Sequence, residues 1–390
     1  AACRRLNTQH CSSSALITHQ IIIFERLRKS AQSREPPMRS ALLLSLAASA
    51  AATRVTKDQW QSEAQAALND ARPLSLEAAE SGCVLTISGN RVTTTSDSPL
   101  KLCRVDHGGD VDASKTVILA MVDSTKYLET RGNWEAFLNK AAYCRKTKRA
   151  LYLWLGVPSS DILDARHAAP WATCRDRREG NTLNGVKTLG FLALFEGQQP
   201  PDSVLYVDAD AWFSDVAFAN DQVTPEAYLA LSSDSELLGN QNRIGGPKIP
   251  MNGGLIFARK SRFTSQFFAL WWRGRCGKKD QLPLWATLFA SWSAASDGAY
   301  DFDSSLFDRY AVAHNKRGAL HVLQRDAARI RAQSGITAFD GGSFRETGRL
   351  LEKPLALPHV LLLPSAPVGS LPALRSDADG TRPTFVCHTR

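Results

Sequence analysis

The sequence lacks several features that would identify a function directly. None of its eight cysteines pairs with another at Cys-x-x-Cys spacing, which argues against a structural zinc site. Its apolar segment Ala41–Ala52 has twelve residues, whereas a helix needs about 20 to span a bilayer. No residue pattern marks a dedicated catalytic nucleophile. The sequence therefore indicates neither structural zinc nor a clear transmembrane helix, and membrane association is left open.

Excess positive charge is also scarce outside the N-terminal region. The chain has a net charge of +9, but residues 1–40 contain seven Arg or Lys and two Glu, a net charge of +5. The other 350 residues therefore carry a net charge of only +4. Such a balance does not indicate a basic partner-binding surface, and we expect no nucleic-acid partner.

The segment that begins at Met38 has the features of a secretory signal peptide. A positive residue precedes the apolar run Ala41–Ala52, and alternating small residues near its end form a cleavage pattern. We therefore interpret residues 1–37 as an upstream or disordered extension and residues 38–52 as a signal-peptide-like segment. The alternative is that Leu16–Phe24 is part of a degenerate anchor, although polar residues interrupt it.

Export from the cytosol would permit disulfide bonds. If the leader is cleaved, six cysteines remain. Cys83 and Cys103 bracket a hairpin-like segment, so we predict a bond between them. The alternative is six ordinary buried thiols.

The strongest candidate for chemistry is a buried strand that ends in two aspartates. Val204–Val207 is an apolar, charge-free run, and of the chain's four Asp-x-Asp pairs only Asp208/Asp210 follows such a strand. Ligands of open α/β sheets bind at the carboxyl ends of strands. Residues i and i+2 of a strand lie on one face about 6.6 Å apart, so both carboxylates can reach one divalent cation that holds a diphosphate. The alternative is a solvated turn.

Strands and helices alternate along the chain from residue 115. We predict buried strands at Val117–Val122 and Ala150–Leu155, and helices at Trp134–Lys146 and Asn184–Glu196. This alternation indicates an α/β fold with a mostly parallel sheet, right-handed crossovers and flanking helices. We assign residues 115–390 to this domain.

The regions before and after these elements carry weaker patterns. Residues 53–114, with a predicted helix at Gln59–Ala71 and two short strands, are interpreted as a small N-terminal appendage. Val223–Gly239 is predicted to be helical or irregular, and the proline-punctuated segment Leu351–Pro372 to be irregular.

Further candidate residues lie beside the predicted strands and helices. They are Val122, Asp123 and Ser124 at the ligand end of the first strand, Lys187 in a first helical turn, Asn252, Gly253 and Gly254 before a buried strand, Asp280 before a helix, and His388 in a terminal strand. Each also has an ordinary structural interpretation. Lys187 and His388 would then be surface residues, and Asn252–Gly254 would be a plain turn.

In this order the motifs resemble the metal-dependent glycosyltransferases of the GT-A fold, a Rossmann-like fold. The resemblance is strongest to the galactosyl-, mannosyl- and xylosyltransferase family of the secretory pathway, and it covers roughly residues 115–390. The matching motifs are Asn139-Lys140-x-x-Tyr143-Cys144, Lys187, the Asp-x-Asp (DXD) motif in Tyr206-Val-Asp-Ala-Asp210, Asn252-Gly-Gly-Leu-Ile-Phe257, Trp271-Trp272, Asp280-Gln281 and His388.

The resemblance implies roles for these residues. Asp208, Asp210 and His388 would hold Mn²⁺ or Mg²⁺, and Lys187 would neutralise phosphate charge. Asn252, Gly253, Gly254 and Asp280 would contact the transferred sugar or the acceptor. The implied substrates are a nucleotide-diphosphate sugar and a glycan or glycoprotein acceptor, the implied stereochemistry is retention, and the implied location is the Golgi or the ER lumen.

The sequence also permits two other functions. A phosphatase of the haloacid dehalogenase type also places Asp-x-Asp after an apolar strand, but it places the pair near the start of its domain and prefers Thr or Val where this chain has Trp212. A non-catalytic, transferase-like module that binds glycans is the second alternative.

Overall fold

The computed structural model describes most of the chain from residue 53 onward. The chain divides into two units, Ala1–Ala51 and Ala52–Arg390, and the predicted leader, residues 1–52, lies outside the described residues. The described residues are 53–130, 132–163, 183–219, 223–240, 242–243, 248–249, 251–275, 281–298, 355–363, 371–372 and 384–388.

Strands run through the whole described region. In chain order they are β1 Val84–Ser88, β2 Arg91–Thr94, β3 Lys101–Asp106, β4 Val117–Val122, β5 Leu151–Leu155, β6 Ser203–Val207, β7 Ala211–Phe213, β8 Leu237–Asn240, β9 Asn242–Arg243, β10 Lys248–Ile249, β11 Leu255–Arg259, β12 Leu355–Leu357, β13 Val360–Leu363, β14 Leu371–Pro372 and β15 Thr384–His388.

Helices alternate with these strands. They are α1 Lys57–Glu80, α2 Thr125–Leu128, α3 Asn133–Thr147, α4 Ser160–Leu163, α5 Lys187–Glu196, α6 Asp215–Ala219, α7 Pro225–Leu229, α8 Arg262–Arg273 and α9 Gln281–Ala295. A 3₁₀ turn, Leu183–Val186, leads into α5. In the described part of the chain, none of the helices combines the length and the apolarity needed to cross a bilayer.

A ten-stranded sheet with the order β12-β13-β8-β11-β6-β4-β5-β3-β1-β2 forms the framework. Its centre, β6-β4-β5, is parallel. The next strand on each side, β11 and β3, runs antiparallel to its central neighbour. The predicted α/β fold, with a parallel central sheet flanked by helices, is therefore confirmed, and mixed strands extend that centre on both sides.

Apart from Ser203 at the start of β6, the central strands are apolar, as expected where helices cover both faces of a sheet. Leu119 and Met121 of β4 belong to a core that includes residues of α1, α5, α8 and α9. Ile118, Ala120 and Val122 belong to the core on the other face, which includes residues of α3. Successive residues of the strand thus alternate between two cores, as the period of a β-strand requires.

Residues 53–114, interpreted as an N-terminal appendage, are joined to this sheet. β3 pairs with β5, and β1 pairs with β3. The predicted helix Gln59–Ala71 lies within the longer α1, which packs against α5 and α8. The predicted Cys83–Cys103 disulfide is present, so it fastens the start of β1 to β3.

Two segments contain strands that the sequence did not predict. Val223–Gly239 contains α7 but ends in the buried strand β8, and Leu351–Pro372, predicted to be irregular, contains β12, β13 and β14. β8 and β13 have four residues each and pair with each other in parallel. Such short strands carry no full alternating pattern, and partners distant in sequence stabilise them.

An ion pair joins α7 to the amino ends of β4 and β5. Arg149 has a side chain only 2% exposed, and it donates through both terminal nitrogens to Glu226, with Nη2 to Oε2 at 2.6 Å. Glu226 also accepts from the backbone N–H of Thr116 at 2.8 Å. Burial opposes ionisation of Glu226, but the hydrogen bonds and charge of Arg149 outweigh it, so the pKa of this carboxyl falls to about 2.

This ion pair should make stability sensitive to acid. Because the ordinary pKa of 4.5 falls to about 2 in the folded state, the contribution of Glu226 is fully present above the ordinary pKa. It is lost as the pH falls through the folded pKa. We expect Glu226→Gln to lower Tm at neutral pH and to show a shallower loss of Tm from about pH 5 to pH 2. The exposed Glu80→Gln should follow the wild type, and equal acid slopes for Glu226→Gln and wild type would contradict the assignment.

Candidate functional site

A tight turn follows β6 and carries the two aspartates. The backbone N–H of Ala211 donates to the carbonyl of Asp208 at 3.1 Å, which closes the turn before β7 begins. The N–H of Asp208 donates to the carbonyl of Gly254 at 2.9 Å. Asp208 and Asp210 are both half-buried. The turn thus lies at the carboxyl end of a central strand, where α/β sheets bind ligands.

Two buried side chains, Lys187 and Tyr206, contact Asp208. Lys187 Nζ lies 3.3 Å from Asp208 Oδ1, and the Tyr206 hydroxyl donates to the same oxygen at 2.7 Å. Lys187 also donates to the carbonyl of Gly253 at 2.8 Å, and its ammonium lies 4.8 Å from the centre of the Tyr206 ring. Hydrogen bonds to an ionised partner are stronger than neutral ones. These contacts therefore fix the position of this carboxylate.

Lys187 differs from the surface lysine that its sequence context favoured. Its side chain is only 2% exposed, and it occupies the first residue of α5. The sequence reasoning also did not single out Tyr206, although Tyr206 and Asp208 are two residues apart and the strand period places them on one face. The expected contact of Lys187 with phosphate stays a prediction.

The Asn252–Gly254 segment lies against the aspartate turn. The N–H of Asn252 donates to the carbonyl of Asn240 at the end of β8 at 2.8 Å. Asn252 Oδ1 accepts from the N–H of Gly254 at 3.1 Å, and the carbonyl of Gly253 receives Lys187. Asn252 is buried. The segment is therefore a fixed turn that bridges β8, β11 and the aspartates.

Met251 explains why β8 contains a glycine. A Cβ atom at Gly239 would lie 2.3 Å from Met251 Cε and 2.7 Å from its Cγ, so a larger residue would force the buried Met251 side chain to move. The indole N–H of Trp285 on α9 donates to the Met251 carbonyl at 2.9 Å. Contacts with Gly239 and Trp285 thus fix Met251, the residue before Asn252.

The end of β4 lies beside the end of β6 in the sheet. Their register pairs Leu119 with Tyr206, so Val122 and the following Asp123 and Ser124 lie at the same edge as the aspartate turn. Val122 is buried and Ser124 is exposed. The Ser124 hydroxyl accepts from the N–H of residue 127 at the start of α2 and donates to Asp123 at 3.0 Å.

His388 is brought to the aspartate turn by strand pairing. β15 runs antiparallel to β7, and the register places the backbone of His388 opposite Ala211, the residue that follows Asp210. The imidazole lies outside the described residues, as does Asp280, whose neighbour Gln281 begins α9. Among the side chains that are described, no group of three or more His, Cys, Asp or Glu forms a metal site. Of the three predicted metal ligands, the described side chains are therefore those of Asp208 and Asp210.

A second buried lysine lies on the other side of the turn. Lys140 on α3 donates to the carbonyls of Ala209 and Ala211, the first at 3.1 Å. Burial lowers the pKa of Lys140 to about 7, and the negative charges of Asp210 and Asp208 limit the decrease. Lys140 belongs to a motif of the family resemblance, but nothing in its local sequence indicated this contact.

Comparison with known proteins leaves the family open. No family model matches the chain, and no curated protein matches it. One similar solved structure is described as a glycosyltransferase involved in the glycosylation of the major capsid of PBCV-1, with 11% identity and a TM-score of 0.30. The match covers 40% of this chain and 65% of that one. A likeness this remote does not assign an activity.

The contact between Lys187 and Asp208 should appear as an energetic coupling. Lys187→Met leaves the carboxylate without its buried cation, and Asp208→Asn leaves the ammonium without its counter-charge. In a double-mutant cycle measured by denaturant unfolding, the two changes together should cost less than their sum by about 0.5–3 kcal/mol. The exposed pair Arg72–Glu196, at 3.0 Å with side chains 44% and 24% exposed, is the control and should couple by less than about 1 kcal/mol. Additive effects at Lys187 and Asp208 would contradict the contact.

Proposed function

We propose that this protein is a glycosyltransferase that moves a hexose or pentose from a nucleotide-diphosphate sugar to a glycan or glycoconjugate acceptor. The observation that carries the proposal is the Asp208–Asp210 turn at the carboxyl end of the parallel strands. The buried Lys187 contacts Asp208 and the carbonyl of Gly253, and the N–H of Asp208 donates to the carbonyl of Gly254. Retention of configuration and a location in the Golgi or ER lumen belong to the same proposal.

The chemistry of the available ligands fits a hard divalent cation. Asp208 and Asp210 offer carboxylate oxygens, which Mn²⁺ and Mg²⁺ prefer, and an imidazole from His388 would suit Mn²⁺. Asp208 is already oriented by Tyr206 and Lys187 through one oxygen. When bound, the cation would stabilise the negative charge that develops on the departing diphosphate.

The residues of the chain would divide the remaining work by position. Val122, Asp123 and Ser124, at the end of the adjacent strand, would bind the nucleoside portion of the donor. Asn252, Gly253 and Gly254 would contact the transferred sugar, and Asp280 would contact the sugar or the acceptor. Lys187 would set the position of Asp208 and contribute positive charge toward the phosphates. The nucleophile would be a hydroxyl group of the acceptor, whose bond to the sugar forms as the bond between the sugar and the diphosphate breaks.

The proposed location has two supports within the chain. The Cys83–Cys103 disulfide is typical of an oxidising compartment, and the segment that begins at Met38 has the features of a signal peptide. Both favour a location in the secretory pathway.

Binding of the proposed ligands can be measured before the donor sugar is known. We expect UDP or GDP with Mn²⁺ to raise the Tm of the wild-type protein more than either component alone. A ligand at about 100 times its Kd stabilises by about 2.7 kcal/mol. Asp210→Asn should lose this increase, whereas Asp110→Asn, at an exposed Asp-x-Asp pair, should retain it. An equal response in Asp210→Asn and wild type would contradict the proposed site.

The metal ligands should act as a unit in catalysis. We expect Asp210→Asn to lower Mn²⁺-dependent hydrolysis of sugar nucleotides by about tenfold or more, and adding His388→Ala should then cost little more. An unchanged Mn²⁺ requirement in His388→Ala alone would remove the histidine from the assignment.

The same assay separates the alternative functions. Hydrolysis of a simple phosphate ester without turnover of sugar nucleotides would favour a phosphatase. Binding of glycans without Mn²⁺-dependent turnover would favour a non-catalytic module.

A further inference from the structure

One face of α3 contacts the segment that carries the aspartates. Asn139, Lys140, Tyr143 and Cys144 occupy positions i, i+1, i+4 and i+5, a spacing that places all four on one side of a helix. Lys140, Tyr143 and Cys144 are buried. This face belongs to the motif Asn-Lys-x-x-Tyr-Cys, to which the proposed function above gives no role.

Asn139 pairs with the strand that follows the aspartate turn. Its side-chain nitrogen donates to the carbonyl of Phe213 at 2.9 Å, and its side-chain oxygen accepts from the N–H of Phe213 at 2.7 Å. One amide side chain thus satisfies both backbone groups of a β7 residue, as a neighbouring strand would. The end of β7 is therefore fixed to α3.

Tyr143 packs on the same residue. Its ring stacks on Phe213 with centroids 3.7 Å apart, and it meets Phe385 of β15 edge to face at 6.3 Å. β15 is the strand that carries His388. The face of α3 therefore contacts β7, which follows the aspartates, and β15, which carries His388.

Lys140 contacts the turn itself. Its ammonium donates to the carbonyls of Ala209 and Ala211, which flank Asp210, and lies 3.4 Å from the carbonyl of Ala136 on its own helix. An ammonium has three donors, so these three acceptors match them. The hydrogen bonds offset the cost of burying the amine, and they are satisfied only while the turn keeps this conformation.

We propose that the Asn139–Lys140–Tyr143 face of α3 is the positioning element for the Asp208–Asp210 turn, with Lys140 as its central residue. This inference rests on the proposed function, because it assigns the face a part in binding the cation and diphosphate. Lys140 does not reach the substrate in this role. It holds the backbone on both sides of Asp210 so that the two carboxylates keep a fixed separation.

Two effects of Lys140 on a bound cation have opposite signs. When Lys140 is protonated, its charge repels a cation at the aspartates, whereas its hydrogen bonds to the turn favour binding by preorganising the ligands. If repulsion dominated, Lys140→Met would tighten binding. The proposal requires the opposite result, and Asn139→Ala separates the two effects because it weakens the hold without changing the charge.

The hold itself can be measured in the metal-free, full-length protein. We expect Lys140→Met and Asn139→Ala to speed amide hydrogen exchange in the segment Asp208–Phe213 by about tenfold, as for two lost hydrogen bonds. Arg259→Met is the matched control, since the Arg259 side chain also donates to backbone carbonyls, those of Leu229 and Ser232, but lies opposite Ser203 at the other end of β6. This variant should lower Tm without speeding amide hydrogen exchange in Asp208–Phe213 more than in the rest of the chain. Unchanged exchange in both α3 variants, or acceleration spread evenly over the chain, would overturn the proposal.

The functional part is tested by titrating Mn²⁺ in the presence of UDP. Both α3 variants should bind Mn²⁺ about tenfold more weakly than wild type, and Arg259→Met should bind it normally at a temperature where it is folded. Wild-type or tighter affinity in Lys140→Met and Asn139→Ala would overturn a positioning role. A wild-type protein that binds no Mn²⁺ with UDP would instead contradict the proposed function, and the exchange result would then decide alone whether α3 holds the turn.

Discussion

Two buried ammonium groups hold the turn on which the candidate site depends. Lys187 lies against the Asp208 carboxylate and the Gly253 carbonyl, and Lys140 donates to the carbonyls of Ala209 and Ala211. Burying a cation costs free energy unless partners replace water. Each lysine recovers that cost only when the turn is formed, so the turn has a defined conformation before any ligand binds.

Strand order brings the other parts of the site to these lysines. β6 lies between β4 and β11, which places the end of one strand and the start of another beside the aspartates. β15 is distant in sequence but pairs with β7. Phe385 of β15 stacks on Tyr228 at 5.0 Å and meets Phe213 at 5.5 Å. Aromatic packing therefore fixes the strand that carries His388.

The sequence predicted the elements whose signals are local. The strands at Val117–Val122 and Val204–Val207 are buried runs free of charged residues, and the Cys83–Cys103 bond spans a short hairpin-like segment. Each of these features is determined by residues close together in the chain.

The features that the sequence did not predict depend on distant contacts. β8 and β13 are short, and their pairing with each other gives them their place in the sheet. Lys187 looked like a surface residue because nothing within its helix reveals that Asp208 and Gly253 lie opposite it. Lys140 likewise has no partner in the turn until β6 and α3 are brought together. Local sequence reports propensity, whereas the burial of a charge is decided by the assembled fold.

We propose that the Asp208–Asp210 turn is a preformed site for a divalent cation and a diphosphate. The most direct measurement is anomalous X-ray scattering at the manganese edge from crystals grown with Mn²⁺ and UDP. We expect one strong manganese peak within bonding distance of carboxylate oxygens of Asp208 and Asp210, with the diphosphate on the same ion. Manganese and diphosphate bound at another edge of the sheet, or no manganese at the aspartates while UDP is bound, would contradict it.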